Sequence, residues 1–158
     1  MVATLKGCAP NERRVEAKKQ ESPRGPSETG SPNFSVLAGV FRNDFGAVCA
    51  INTSQSTVTD PKLGEALALC MAAEVAISLG YIRVIFQCDN FSVVRCFKAR
   101  STEQHHKLEA ARTRFLHRCS IFTEWDITFI ARQCNFMVHN VAKWAKTTNT
   151  SGFLDTEF

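Results

Sequence analysis

The chain has 158 residues, of which 44% are hydrophobic, enough for one domain with a packed core and too many for a wholly disordered protein. No apolar run approaches the roughly 20 residues of a membrane-spanning helix, so neither a membrane span nor a membrane partner is expected. The net charge of +4 permits a nucleic-acid partner without requiring one. Seven cysteines with no CxxC pair favour free thiols in an intracellular compartment, nuclear or cytoplasmic, over a disulfide scaffold or a structural zinc.

Residues 1–33 differ in composition from the rest of the chain. They hold four of the five prolines and ten charged residues but no aromatic residue. A segment this polar buries too little apolar surface to offset the entropy that it loses on ordering. We therefore predict a disordered N-terminal tail, in which Arg13-Arg14 and Lys18-Lys19 are either a weak nucleic-acid tether or simply solvated charge.

From Phe34 onward, apolar residues recur with the periods of strands and helices. In chain order the pattern predicts hairpin strands at 35–41 and 47–51, a helix from 61 that Gly80 ends, a strand at 83–88, helices at 91–99 and near 105–118, a strand at 125–131 and a helix at 135–146. Most of the twelve phenylalanines fall in these patterns and are predicted to be core. Strands separated by helices predict one α/β domain over 34–146, followed by a frayed tail over 147–158.

Three side chains in this order are candidates for chemistry. Glu65 lies in the first turns of the long helix, where its small neighbours let the carboxylate approach the sheet. Asp89 ends a buried strand, where ligand crevices form in open α/β sheets, and His139 lies in the first turns of the final helix. Each also has a purely structural interpretation: Glu65 as a carboxylate favoured by the helix dipole, Asp89 as a helix cap and His139 as a surface histidine.

Three ordered blocks of sequence resemble a known family. They are Gly64–Leu69 (GEALAL), Arg83–Asn90 (RVIFQCDN) and Arg132–Ala145 (RQCNFMVHNVAKWA), and the hairpin segment Gly39–Gly46 (GVFRNDFG) precedes them. Together they are similar to the ribonuclease-H-like domain of reverse-transcriptase type, which is abundant in plant genomes and derives from retroelements. The resemblance covers about residues 34 to 145.

The resemblance implies a ribonuclease-H-like mixed sheet flanked by helices. It also implies an endonuclease that hydrolyses the RNA strand of RNA–DNA hybrids with two divalent ions, Mg²⁺ or Mn²⁺, roughly 4 Å apart. On this resemblance Glu65 and Asp89 are metal ligands, and Glu65, Asp89 and His139 are the catalytic residues. His139 stands where many members of the family carry a final aspartate.

The sequence departs from the family at the first central strand. That strand ends in an Asp-Gly step whose aspartate bridges both metals, whereas no aspartate here precedes Asp44 in the hairpin turn. Residues 15–21 are too charged for a buried strand. Glu21 is the residue of this stretch that could imitate the missing aspartate, and it is a poor match for it. We therefore expect the first central strand to be missing or degraded, with one bound ion or none and weak or absent hydrolysis.

A basic segment follows the middle strand. Residues 95–118 contain seven basic and two acidic residues. Such a segment can contact phosphates and give salt-dependent, sequence-independent binding, and a solvated helix face explains the same charges equally well. The predicted nucleic-acid-binding residues are Arg95, Lys98, Arg100, Lys107, Arg112 and Arg114.

Three functions remain open at this stage. The first is a monomeric ribonuclease-H-like domain that cleaves RNA–DNA hybrids with impaired activity. The second is a non-catalytic module that binds RNA or a hybrid duplex, and the third is a degenerate retroelement fragment. Metal titration separates the first from the others, and salt-dependent affinity for a hybrid separates the second from the third.

Overall fold

Six strands and four α-helices make up the part of the chain that the structure describes. This computed structural model covers residues 12–20, 34–99 and 106–155. The strands are β1 (Glu12–Gln20), β2 (Ser35–Asn43), β3 (Val48–Ser56), β4 (Arg83–Cys88), β5 (Glu124–Phe129) and β6 (Gly152–Asp155). The helices are α1 (Pro61–Ser78), α2 (Phe91–Lys98), α3 (Glu109–Cys119) and α4 (Phe136–Thr147), and a short 3-10 helix spans Arg132–Asn135.

The six strands form one mixed sheet in the order β5-β4-β1-β2-β3-β6. β4 is parallel to both β1 and β5, whereas β1, β2, β3 and β6 pair antiparallel with one another in that order. The crossover from β3 to β4 runs through α1, and the crossover from β4 to β5 runs through α2 and α3. The predicted mixed sheet flanked by helices is therefore confirmed.

β1 fills the central position of this sheet, between β4 and β2. Two predictions are corrected here, because residues 12–20 are not a disordered tail and the central strand is not missing. The backbone of β1 pairs antiparallel with β2, with Glu16 opposite Val40, and parallel with β4, with Glu12 opposite Arg83. The prediction considered only the charged side chains of this segment. A strand between two others, however, also gives both neighbours backbone hydrogen-bond partners.

The C-terminal end of the chain also joins the sheet. β6 pairs antiparallel with β3, which corrects the predicted frayed tail for residues 152–155. A strand of four residues is too short for a periodic pattern to reveal. β1 and β6 thus extend the sheet beyond the predicted domain limits of 34–146. Residues 1–11 and 21–33 of the predicted tail, Glu21 included, lie outside the described residues.

Hydrophobic clusters cover both faces of the sheet. Alternate residues of β2 enter different clusters, so Phe41 and Val40 lie on opposite faces. The larger cluster packs α1, α2 and α3 against the sheet around Phe86 and Phe115, and the smaller one packs α4 through Val138. Within the described ranges, no helix has both the length and the hydrophobicity that crossing a membrane requires.

α1 begins and ends where the sequence predicts. Asp60 Oδ1 accepts hydrogen bonds from the backbone N–H groups of Lys62 and Leu63 at 2.9 and 3.1 Å. Gly80, at φ 72°, follows the end of the helix in the left-handed conformation that glycine adopts without strain. These two signals fix the helix along the sheet and place Glu65 in its second turn.

Candidate functional site

Asp89 lies at the carboxyl end of β4, between that strand and α2. The cap of α2 is Asn90, whose Oδ1 accepts a hydrogen bond from Val93 N at 3.3 Å. Asp89 therefore does not serve as the helix cap. Its side chain is only 4% exposed, and a buried carboxyl requires a polar partner.

His139 provides a polar partner for Asp89. Its Nε2 lies 3.2 Å from Asp89 Oδ2, a distance at which a protonated Nε2 donates a hydrogen bond to the carboxylate. His139 stands in the first turns of α4, and Val138 and Ala142 hold that helix against the sheet. The fold thus brings together two of the three candidate residues, although they are fifty positions apart in the sequence.

Glu65 is buried in the second turn of α1. Burial raises the pKa of the Cys88 thiol, at the end of β4, from 9.0 to about 12, and the negative charge of the Glu65 carboxylate raises it further. Asp89 makes a smaller contribution of the same sign. Both charges therefore act on the Cys88 thiol, but the described structure does not gather Glu65, Asp89 and His139 into one group of potential metal ligands.

The donor set around Asp89 does not suffice for two divalent cations. In the described part of the chain, no three His, Cys, Asp or Glu side chains are grouped so that they could hold a metal ion. Mg²⁺ requires oxygen ligands, which Glu65 and Asp89 supply, but Asp89 Oδ2 already contacts His139. An imidazole is a poor ligand for so hard a cation. The described carboxyl side chains that could serve such a site are thus two, Glu65 and Asp89, too few to compensate the charge of two divalent cations.

An open cleft of about 490 Å³ adjoins His139. It is lined by residues of the 3-10 helix and the first turns of α4, namely Arg132, Gln133, Phe136, His139 and Asn140. A guanidinium binds phosphate, an exposed phenyl ring packs on sugars and bases, and the two amides can both donate and accept hydrogen bonds. Sequence reasoning assigned a role only to His139. The signal in the sequence was a cation, two amides and an aromatic ring close together at the start of the final helix.

Glu16 is a second residue that sequence reasoning missed. It lies in the middle of β1, opposite Val40, whose side chain belongs to the cluster under α4. The parallel ladder pairs Glu12 with Arg83, so Glu16 stands level with Gln87, near the end of β4. The signal was a lone acid between the apolar residues of Val15-Glu16-Ala17, and the charged residues around it obscured that signal.

Two of the predicted nucleic-acid-binding residues are engaged within the fold. Arg112 Nε donates a hydrogen bond to Cys96 O at 3.1 Å, which ties α3 to α2. Arg114 Nη2 lies 2.7 Å from Glu74 Oε1, which ties α3 to α1. Both arginines therefore make contacts within the fold, and their role in nucleic-acid binding stays a prediction.

The other predicted basic residues are more available to a ligand. Lys98 Nζ lies 3.1 Å from Asp126 Oδ1 in an exposed ion pair, which contributes little to stability and exchanges easily. Arg95 and Lys107 are exposed on the surface. Arg100 lies outside the described residues. Of the predicted basic residues, Arg95, Lys98 and Lys107 are therefore exposed to solvent, as is Arg132 of the cleft.

Comparison with known sequences identifies one family. Residues 27–145, three quarters of the chain, match the family model described as reverse transcriptase-like. A search of curated proteins returns no significant match.

Comparison with solved structures finds ribonucleases H1 that share the fold at low sequence identity. The enzyme from Halobacterium salinarum is 19% identical, with a TM-score of 0.67 over 85% of this chain and 96% of that one. The N-terminal RNase H domain of a Mycobacterium tuberculosis protein is 17% identical, with a TM-score of 0.66 over 85% and 92%. LC11-RNase H1, solved in complex with an RNA/DNA hybrid, is 14% identical, with a TM-score of 0.67 over 86% and 98%.

Proposed function

The chain belongs to the reverse transcriptase-like family, and on that premise we propose that it is a nucleic-acid-binding domain of ribonuclease-H type. The proposed ligand is an RNA–DNA hybrid or a structured RNA, bound where Asp89 and His139 meet at the edge of the sheet. The RNA/DNA hybrid named for the LC11 enzyme supports this class of ligand.

The observation that carries the proposal is the cleft beside the Asp89–His139 pair. It presents a cation, two amides and an exposed ring within one opening. A nucleotide offers the matching groups, which are a phosphate, hydroxyls and a flat apolar surface. The cleft suits backbone contacts and stacking better than the recognition of a particular base sequence.

Hydrolysis by this domain is proposed to be weak or absent. Divalent ions in such a site would stabilise the attacking and leaving oxygens of a phosphodiester. Glu65 and Asp89 are the described residues that would hold an ion, and two carboxylates compensate the charge of two such ions poorly. His139 against Asp89 lowers the negative charge further whenever the imidazole is protonated.

A second candidate function, metal-dependent cleavage, is favoured by the register of β1. The backbone of Glu16 stands in the central strand near the end of β4, so the sequence supplies a third acidic residue at this end of the sheet. This candidate predicts low but measurable turnover.

The binding proposal is tested by measuring the affinity for a blunt RNA–DNA hybrid at several salt concentrations. Arg132→Ala should weaken binding and reduce the slope of log K against log salt by about 0.9, the value for one phosphate contact. The matched control is Arg83→Ala, which removes a guanidinium at the opposite end of β4, where it pairs with Glu124. Equal effects of the two changes, or no salt-dependent binding at all, would refute the proposal and leave a degenerate fragment.

Cleavage is tested separately with Mg²⁺ and with Mn²⁺. Turnover that is abolished by Glu65→Gln and by Glu16→Gln, and that survives Glu12→Gln, would establish the second candidate. Glu12 is the matched control, because it lies in the same strand at the end far from Asp89. Binding without turnover in the wild-type chain would establish the non-catalytic function.

A further inference from the structure

Two exposed phenylalanine rings form a pair beside Asp89. Phe91, the first residue of α2, is 60% exposed, and Phe129, the last residue of β5, is 48% exposed. Their ring centroids are 5.7 Å apart and their planes are 89° apart, which is an edge-to-face contact. Both residues were predicted to be core, and the structure corrects this. Phe91 begins α2 and Phe129 ends β5, so both rings lie beyond the residues of these elements that the core buries.

The aromatic pair, Phe91 and Phe129, is fixed at the same edge of the sheet as the proposed site. Phe91 follows Asp89 by two residues, and Phe129 stands opposite Cys88 in the parallel ladder of β4 and β5. The Asn90 cap orients the first turn of α2. The pairing of β5 with β4 fixes the backbone of Phe129, and the capped start of α2 fixes the backbone of Phe91. The aromatic pair is therefore held in place before a ligand binds.

The edge-to-face arrangement leaves aromatic surface for a ligand. One ring of such a pair contributes its edge, so the pair itself occupies neither of that ring's faces. The faces of exposed rings are the surfaces on which nucleobases stack, and stacking tolerates any base.

The charge around the aromatic pair favours a nucleic acid over a protein partner. Arg95 lies one helical turn beyond Phe91 on the exposed side of α2. Asp126 of β5 pairs with Lys98. Asp89, two residues before Phe91, is buried against His139. Aromatic surface flanked by a cation matches a base and its phosphate, because single-stranded nucleic acids are bound by this combination.

We propose that the aromatic pair binds an unpaired nucleobase adjacent to the duplex held at the cleft. This inference rests on the proposed function and narrows its ligand to hybrids or RNAs that carry a single-stranded overhang. Arg95 contacts the phosphate that follows the stacked base. The duplex lies against Arg132, and the overhang turns toward α2.

The experiment compares a blunt hybrid with the same hybrid carrying a short overhang, in which 2-aminopurine reports stacking by loss of fluorescence. The wild-type chain should bind the overhang duplex about tenfold more tightly, within the range for one base stack, and quench the probe. Phe91→Ala and Phe129→Ala should abolish the preference and the quenching while leaving blunt-duplex affinity and its salt dependence unchanged. Phe91→Trp should restore both.

Ile121→Ala is the matched control, because Ile121 is also 60% exposed and lies before the start of β5, at the far end of the sheet. Equal wild-type affinity for the two duplexes overturns the aromatic-pair inference and leaves the proposed function intact. Binding of neither duplex overturns both. A fall in molecular mass by light scattering in the alanine variants would assign the pair to self-association instead and would also overturn the inference.

Discussion

Raising the pH from 8 to 10 should destabilise the fold through three buried thiols. Cys70, Cys88 and Cys119 are almost completely buried, and burial raises the pKa of Cys70 and Cys88 from 9.0 to about 12 and that of Cys119 in the same direction. The native thiols therefore stay protonated at pH 10, whereas the thiols of the unfolded chain ionise near pH 9. Because the unfolded state releases protons first, its stability relative to the native state rises with pH.

The magnitude follows from the linkage relation. A thiol that ionises near pH 9 when unfolded and above pH 11 when folded costs roughly 1–2 kcal/mol of unfolding free energy between pH 8 and pH 10. Three such thiols cost about 4 kcal/mol, a large share of the roughly 5–15 kcal/mol that stabilises a typical domain. The stability that the three protonated thiols contribute is fully present below pH 8 and is lost as the pH rises toward 12.

Urea unfolding followed by circular dichroism under reducing conditions measures this loss. Cys88→Ala should reduce the loss of unfolding free energy between pH 8 and pH 10 by roughly 1–2 kcal/mol, and Cys70→Ala should reduce it by a similar amount. Other groups that titrate in this range are common to all variants and cancel in the comparison. Cys134→Ala removes an exposed thiol and should leave the loss unchanged. If Cys88→Ala and Cys70→Ala both lost as much unfolding free energy between pH 8 and pH 10 as the wild-type chain, the argument from burial would be refuted.

Three further predictions concern stability and use the same unfolding assay. Asn135 is fully buried and its amide has no hydrogen-bond partner in the described structure, so Asn135→Leu should raise the unfolding free energy by about 1 kcal/mol; a loss of stability would show that the amide is satisfied. Phe115 is fully buried against the rings of Phe86 and Trp125, so Phe115→Ala should cost about 3–5 kcal/mol, and a cost below 1 kcal/mol would contradict the packing. Asp60→Ala should lower the unfolding free energy by about 1 kcal/mol, because it removes the cap of α1. Asp60→Asn should retain most of this stability, and equal losses in the two variants would refute the capping role.

The elements that the sequence predicts well are those whose signals are local. Asp60 and Pro61 start α1 because a cap acts within three residues, and Gly80 follows its end for an equally local reason. The long helix and the strand Arg83–Cys88 can be predicted from their own residues, without knowing which elements they pack against. Their predicted limits therefore agree with the structure to within a residue or two.

The elements that escaped prediction depend on distant parts of the chain. β1 is charged, and its place in the sheet depends on β2 and β4, which no local pattern of residues 12–20 reveals. The candidate site was predicted only in part for the same reason. Resemblance indicated Asp89 and His139, but the 3.2 Å contact between them depends on how α4 packs against the sheet. The exposure of Phe91 and Phe129 likewise depends on where the layers end.

The central position of β1 has a consequence for synthesis of the protein. β1 leaves the ribosome before β2 and can pair with it early, but its other partner, β4, emerges only after the hairpin and the whole of α1. Until then one side of β1 is an open edge in the nascent chain. Lysines and arginines on such an edge discourage pairing with other chains. The charges that made the segment look unsuited to a sheet would thus guard the growing polypeptide against aggregation.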